Sequence, residues 1–323
     1  MKAVVLYQPG GPDNFVIEER AVPTPGDDQV LVKVKAFGLN RSELMTRKGL
    51  SPSVRFPRVL GIECVGEVVT DPSGELKPGQ KIAAFMGEMG RAYDGSYAEH
   101  AVLPKSIIIP FTSTLPWDVL GATPEMFQTV YGSLHTALKI RKGESLLIRG
   151  GTSSIGLLAA QLAKNAGLTV ISTTRKPESK DALLQNGANE VLIDDGNLSG
   201  KLKVLFPGGV DHVLELVGVS TLKDSLQCAA VGGSVCMTGM LSEQWSLTDF
   251  APMEFIPAAV NLTVYDSGQI RIGKEYFQTF INDIEAAHVK LKIGRVFKLQ
   301  EITEAHHLME NNAAGGKIVV VTD

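Results

Sequence analysis

From residue 29 to residue 36 the chain alternates. Val30, Val32, Val34 and Ala36 interleave with Leu31, Lys33 and Lys35. A period of two with one mostly polar face predicts a β-strand. Turn-forming clusters recur at short intervals: Pro23-Thr24-Pro25-Gly26, Asp71-Pro72-Ser73-Gly74, Lys77-Pro78-Gly79 and Asp94-Gly95. Short strands between such turns predict a barrel-like β domain in the first third of the chain. Near residue 120 the pattern changes. Ser145–Arg149 reads as a strand, and Ile155, Leu158, Ala159, Leu162, Ala163 and Ala166 then fall on one helical stripe. Gly167 is placed to end that helix in a left-handed conformation. Further strands are expected at 168–173, 191–193, 210–216 and 233–237, with a helix ending over 181–185. This alternation predicts a parallel sheet covered by helices on both faces, an α/β class. The tail reads as an amphipathic helix at 276–287, a strand at 296–299, a helix at 303–309 and a last strand at Lys317–Val321. It is expected to rejoin the first domain. The expected domains are therefore 1–121 with 263–323, and an insertion at 122–262.

The chain has 323 residues, 44% hydrophobic and 20% charged, with a net charge of −4. Length and composition fit two ordinary globular domains. There is no overall basic field, so nucleic acid is not an expected partner. The apolar stretch at 3–7 is shorter than the core of a secretory signal, and no run is long enough for a membrane span. Cys64, Cys228 and Cys236 show no disulfide-framework spacing. The expectation is a cytoplasmic protein with buried, reduced thiols.

The most specific local signal is Arg149-Gly150-Gly151-Thr152-Ser153-Ser154-Ile155-Gly156, set between a strand and a helix. Glycines let a backbone turn tightly and approach a pyrophosphate. The helix N-terminus offers free N–H groups and partial positive charge to that anion. The dinucleotide fingerprint G-x-G-x-x-G is matched at Gly151 and Gly156, with Ser153 in place of the middle glycine. Ser153 can cap the helix and donate its hydroxyl hydrogen. Thr152, Ser154 and Ile155 complete the predicted cradle.

NAD-binding units place an acid at the end of the second strand, to hold the ribose 2′-hydroxyl. Here that end reads Ser172-Thr173-Thr174-Arg175-Lys176-Pro177, with no acid before Glu178. A 2′-phosphate repels a carboxylate and attracts hydroxyls and cations. Thr174, Arg175 and Lys180 are therefore expected to favour NADP(H).

Taken together, the chain resembles the medium-chain dehydrogenase/reductase superfamily, and within it the zinc-independent quinone oxidoreductases, the group that includes zeta-crystallin. The resemblance rests on Gly38-Leu39-Asn40, Arg47-Lys48-Gly49, residues 56–66, Gly95-Ser96-Tyr97-Ala98-Glu99, the glycine bend with Gln161-Leu162-Ala163, residues 211–218 and Gly316-Lys317-Ile318. It implies a GroES-like β-barrel domain and an inserted Rossmann-type doubly wound domain that also forms a homodimer. It implies Asn40 and Thr129 near the nicotinamide. It implies Val217, Gly218, Gly239 and Met240 along the cofactor groove, and Lys317 reaching the cofactor. Zinc-dependent members need an early Cys, a His before Glu and a later Cys or Asp; here Asn40 occupies the first region and Ile62 precedes Glu63. Ile62 cannot ligate, and a second, structural zinc needs four clustered cysteines where the chain has three. No metal site is expected. Related enzymes often carry tyrosines near positions 45 and 51, where this chain has Met45 and Ser51, and Asp194 stands where some stack a tyrosine on adenine.

Without a metal, the negative charge that hydride transfer creates must be spread by conjugation or held by hydrogen bonds. The expected acceptor is a quinone or other conjugated carbonyl; reduction of an activated C=C bond, as in enone, enal or acrylate reductases, is the close variant. A different class, a nucleotide-bound regulatory or RNA-binding protein with little turnover, finds no basic-aromatic support. Among other polar residues, His135 is expected to be structural and the pair His306-His307 to lie on the surface. Glu63 is expected to bond backbone or Arg47. Phe85, Met86 and Met89 either line a pocket or pack the core.

Overall fold

The computed structural model describes residues 1–270 and 272–323. The first eight strands are β1 (Lys2–Leu6), β2 (Phe15–Glu19), β3 (Gln29–Gly38), β4 (Arg58–Val59), β5 (Glu63–Thr70), β6 (Lys81–Phe85), β7 (His100–Pro104) and β8 (Ile108–Pro110). Six follow in the middle of the chain: β9 (Ser145–Arg149), β10 (Thr169–Thr174), β11 (Glu190–Ile193), β12 (Val210–Glu215), β13 (Ala229–Met237) and β14 (Asn261–Val264). The tail adds β15 (Ile293–Lys298) and β16 (Lys317–Val321). Two compact units result, Met1–Phe127 with Ile272–Asp323, and Gln128–Arg271. The division falls inside the helix Pro124–Tyr131, a few residues past the sequence-based boundary at 122, and it returns near 271 rather than 262.

The first unit is GroES-like. Its larger sheet runs β15-β16-β3-β5-β6-β8, with β7 also on β3, and a smaller one runs β2-β1-β4. The tail is built into it: β16 pairs antiparallel with β3, Val319 opposite Gly38 and Val321 opposite Ala36. The alternation read in β3 is realised, with Val30, Val32 and Val34 buried and Lys33 and Lys35 at the margin. Tyr97 stacks on Phe37 at 4.7 Å and receives the edge of the His306 ring, so burial fills the barrel with aromatic faces. His306 was expected on the surface. It is fully buried, its Nε2 3.0 Å from the Tyr97 hydroxyl, because the helix Ile302–Glu310 turns that face inward. Burial, then the charges of Arg47 and His307, push His306 down to about 3 and keep it neutral.

The second unit is a doubly wound sheet in the order β11-β10-β9-β12-β13-β14, every neighbouring pair parallel. The order reverses between β9 and β12, which in such sheets opens a ligand crevice at the carboxyl ends of the strands. The helix Ser154–Asn165 buries Gly156, Leu157, Leu158, Ala159, Ala160 and Ala163, whereas Ile155, Leu162 and Ala166 are only half-buried. The buried stripe is rotated from the predicted one because Leu157 also meets Leu183, Ala188 and Val191 beside the sheet. Gly167 ends this helix with φ +84, as its lack of a Cβ allows. The sequence reading missed the edge strand β14 and the helices Leu198–Leu205 and Val219–Leu226, all short. Among the described residues no helix is long and apolar enough to cross a membrane.

Candidate active site

Every predicted cofactor residue except Lys317 lies at or just beyond the carboxyl ends of β9, β10, β12 and β13. Gly150 adopts φ +92 and starts the bend. A Cβ on Gly151 would fall on Ser172 Oγ and 2.9 Å from Thr173 O, and one on Gly156 would lie 2.6 Å from Gly150 O. Only glycine lets β9, β10 and the helix approach this closely. Ser153 is the N-cap: its Oγ accepts from Gly156 N at 3.0 Å and donates to Gly150 O at 2.8 Å. Ser153 thus caps the helix and donates its hydroxyl hydrogen, as expected, and the hydrogen goes to the bend itself. The first-turn N–H groups of Ser154 and Ile155 have no intrahelical acceptor and remain for an anion. Thr152 is exposed beside them.

The loops after β12 and β13 close against this bend. Gly218 has φ +112, and a Cβ there would lie 3.3 Å from Gly239 O and from Met240 Cα. Ser242 N donates to Val217 O at 2.9 Å, and Leu241 N to Leu216 O at 3.2 Å. Glu215, fully buried, accepts from Val217 N at 2.7 Å, from Gly218 N at 3.0 Å and from Ser225 Oγ. Burial pushes its carboxyl up. Thr129 is half-buried; its carbonyl accepts from Ser133 Oγ at 2.7 Å, and Ser133 lies 2.9 Å from Thr238 Oγ1, next to Gly239.

At the end of β10, Thr174 is buried and its hydroxyl is engaged by the Lys176 backbone at 3.0 and 3.2 Å. It shapes the turn, and its hydroxyl is not free for a phosphate. Arg175, Lys176 and Lys180 are not buried, and none forms an ion pair among the described residues. A dinucleotide therefore fits this donor set: glycine bend, free first-turn N–H groups, and unpaired cations where an acid would exclude a 2′-phosphate.

The sequence reading missed Arg149. It is buried, and its guanidinium grips Asp194 through Nε and Nη2 at 2.7 and 2.8 Å, and Asp224 through Nη1 at 2.8 Å. This ties the last residue of β9 to the loop after β11 and the helix Val219–Leu226. Asp194 is thus an ion-pair partner. A single arginine closing the apolar strand SLLIR was the available signal.

In the first unit, Asn40, Glu63 and Lys317 form a closed ring. Lys317 Nζ donates to Asn40 Oδ1 at 2.6 Å and to Glu63 Oε1 at 2.8 Å, and Asn40 Nδ2 donates to the same Glu63 oxygen at 2.8 Å. Glu63 Oε2 accepts from Glu125 N at 2.8 Å. Glu63 therefore bonds Lys317 and not Arg47, which instead reaches Gly10 O at 2.6 Å and Glu310 at 2.7 Å. Two donors of the Lys317 ammonium are committed inside the unit, which narrows the expectation that it reaches the cofactor. Phe85, Met86 and Met89 are buried, Phe85 against Phe277. Met45 is buried, and Ser51 bonds Thr46 Oγ1 at 2.8 Å. Ile62 offers Glu43 only its backbone N–H. Among the described residues no three His, Cys, Asp or Glu side chains are grouped to hold a metal ion.

Glu43, fully buried, accepts from Asn40 N at 3.1 Å and Ile62 N at 3.2 Å. Burial, then the charge of Glu63, push its carboxyl up to about 7. A raised folded value means that its contribution to stability is present at low pH and is lost as pH rises from about 4.5 through about 7. The thermal midpoint of the wild-type chain should carry a downward component over that interval. Glu43→Gln should lack it, and an unchanged slope in the variant would contradict the assignment.

Two family profiles match the chain, the alcohol dehydrogenase GroES-like domain over 26–113 and the zinc-binding dehydrogenase domain over 154–286. The quinone oxidoreductase of Mus musculus is 28% identical over 337 aligned positions, covering 99% of this chain and 98% of that protein. The acryloyl-coenzyme A reductase of Sulfurisphaera tokodaii is 24% identical and covers 99% of both chains. The crystal structure of the Escherichia coli quinone oxidoreductase complexed with NADPH superposes with a TM-score of 0.89 at 22% identity, covering 99% of this chain and all of that one. A barrel joined to a doubly wound sheet with a glycine bend at its switch point defines a medium-chain dehydrogenase/reductase, and the chain belongs to that superfamily. It is an oxidoreductase of that superfamily.

Proposed function

We propose that the protein binds NADPH along the bend from Gly150 to Gly156 and passes a hydride to a quinone or another conjugated carbonyl without zinc. The observation that carries this is the end of β10: three unpaired cations, no acid, beside a bend that only glycine can form. When bound, the nicotinamide supplies two electrons and one hydrogen as hydride. The chain positions the reactants. The N–H groups of Ser154 and Ile155 hold the pyrophosphate, and Arg175 with Lys180 faces the 2′-phosphate. Glu215 fixes Val217 and Gly218 along the groove, opposite Gly239 and Met240. Asn40 and Thr129 border the nicotinamide, and the Asn40 amide steadies the acceptor oxygen as it gains charge. A solvent proton completes the product, a hydroquinone from a quinone. Assembly as a homodimer through the nucleotide domain belongs to the same reading.

The likeness to an acryloyl-coenzyme A reductase makes an activated C=C bond the second acceptor to examine. A product-resolved assay over quinones, enones and aldehydes, with and without a chelator, separates the two: a hydroquinone or a saturated carbonyl. Activity should survive chelation, and loss of it would overturn the zinc-free reading. NADPH should be preferred to NADH, and the double variant Arg175→Ala/Lys180→Ala should raise KM for NADPH about tenfold or more while leaving KM for NADH nearly unchanged. Equal effects on both cofactors would remove these cations from the 2′-phosphate.

A further inference from the structure

The chemistry of the ring around Asn40 fixes its amide without ambiguity. Lys317 can only donate, so it must face Oδ1, and the Glu63 oxygen must face Nδ2. One Nδ2 hydrogen is spent on Glu63. The other has two distant acceptors, Gly38 O and Glu43 Oε1, each at 3.4 Å, the limit of a hydrogen bond. Glu43 thus touches Asn40 twice, through the backbone N–H at 3.1 Å and across from this second hydrogen. Two buried carboxylates share one buried ammonium here, so the cluster carries a surplus negative charge when both are ionised.

We propose that Glu43 and Glu63 are positioning residues for the reaction: with Lys317 as shared counter-ion they fix the Asn40 carboxamide, and a proton on Glu43 releases its second N–H toward the acceptor. The inference rests on the reading that Asn40 borders the acceptor. Ionised, Glu43 competes for that hydrogen; neutral, it competes weakly, and the amide can donate to the oxygen that gains charge. The groups around Glu43 are Glu63 on β5, Lys317 on β16, Tyr97 before β7 with His306 bonded to it, and Arg47 on its own helix. Burial outweighs Lys317 and places the proton change of Glu43 near neutrality, at about 7. Tyr97 stays protonated, being raised well above its ordinary value by burial, and His306 stays neutral, so neither titrates in the same interval.

The test is the pH profile of kcat with a quinone and saturating NADPH, from about pH 6 to about pH 8.5. Wild type should lose about tenfold in kcat as pH rises, part of what one oxyanion donor supplies. Glu43→Gln, which always presents a neutral amide, should give a flat profile, and Glu43→Asp should restore a sloping one. A merely structural Glu43 would lower the whole profile and leave its shape. If Asn40→Ala keeps wild-type kcat, Asn40 does not serve the acceptor and both readings fall. If Asn40→Ala is slow but Glu43→Gln keeps the wild-type slope, this inference alone falls. Infrared difference spectra of the wild-type protein over the same interval do not depend on a variant folding. They should show a protonated carboxyl band lost as pH rises, and the absence of such a band would overturn the inference.

Discussion

Gly151→Val should weaken NADPH binding by about 100-fold or more while the unit of Met1–Phe127 and Ile272–Asp323 stays folded. The added Cβ would fall on Ser172 Oγ and 2.9 Å from Thr173 O. The serine hydroxyl can rotate away, but the Thr173 backbone cannot. It belongs to β10, which is paired on both sides, to β9 and to β11. The bend must therefore move, and with it the N–H groups of Ser154 and Ile155, which belong to the helix that begins there. A shift of about 1 Å is enough to cost two orders of magnitude in a site built on close backbone approach. Calorimetric or fluorescence titration with NADPH measures the loss, and circular dichroism checks the fold. Wild-type affinity in this variant would mean that the nucleotide does not use the bend.

A larger effect on stability is expected at Lys317. Lys317→Met removes the ammonium and leaves Glu63, which has no solvent exposure, with only the Asn40 amide and the Glu125 N–H. Stranding one member of a buried ion pair typically costs about 3–5 kcal/mol. Denaturant unfolding followed by a signal from the first unit is the suitable measurement, because a chain of two units need not unfold in one step. Adding Glu63→Gln to Lys317→Met removes both charges and should recover much of the loss. A double variant less stable than Lys317→Met alone would show that the stranded Glu63 charge is not what destabilises the single variant.

These two sites were legible in the sequence to different degrees. The bend could be read because its requirement is local. Gly150, Gly151 and Gly156 stand between an apolar strand and a helical stripe, and few arrangements other than close backbone approach call for glycine at those spacings. The absence of an acid after Thr174 was equally visible. The role of Ser153 was half legible. Its capping position follows from spacing, but the bond from its hydroxyl to Gly150 O depends on how tightly the bend closes.

The ring of Asn40, Glu63 and Lys317 could not be assembled from the sequence, since its members lie up to 277 positions apart and meet only because β16 pairs with β3. Of the two partners expected for Glu63, the backbone is found, at Glu125 N, and Arg47 is not, while the ammonium of Lys317 was not foreseen. Arg149 was passed over for a similar reason, because its two carboxylates come from the end of β11 and from the helix Val219–Leu226. His306 was misplaced because two adjacent histidines look solvent-facing until the helix orientation is known; one is buried and its neighbour His307 is exposed.

By itself, the sequence determined the two kinds of layer in this protein, the bend between β9 and its helix, and the cationic turn after β10, because each follows from periodicity or backbone conformation over a few consecutive residues. Only the tertiary structure decided which charges are buried and how they are paired. Burial and pairing depend on strand register and on the return of the tail to the barrel, and the cost of an unpaired interior charge then leaves little freedom in how Asn40, Glu43, Glu63 and Lys317 are arranged.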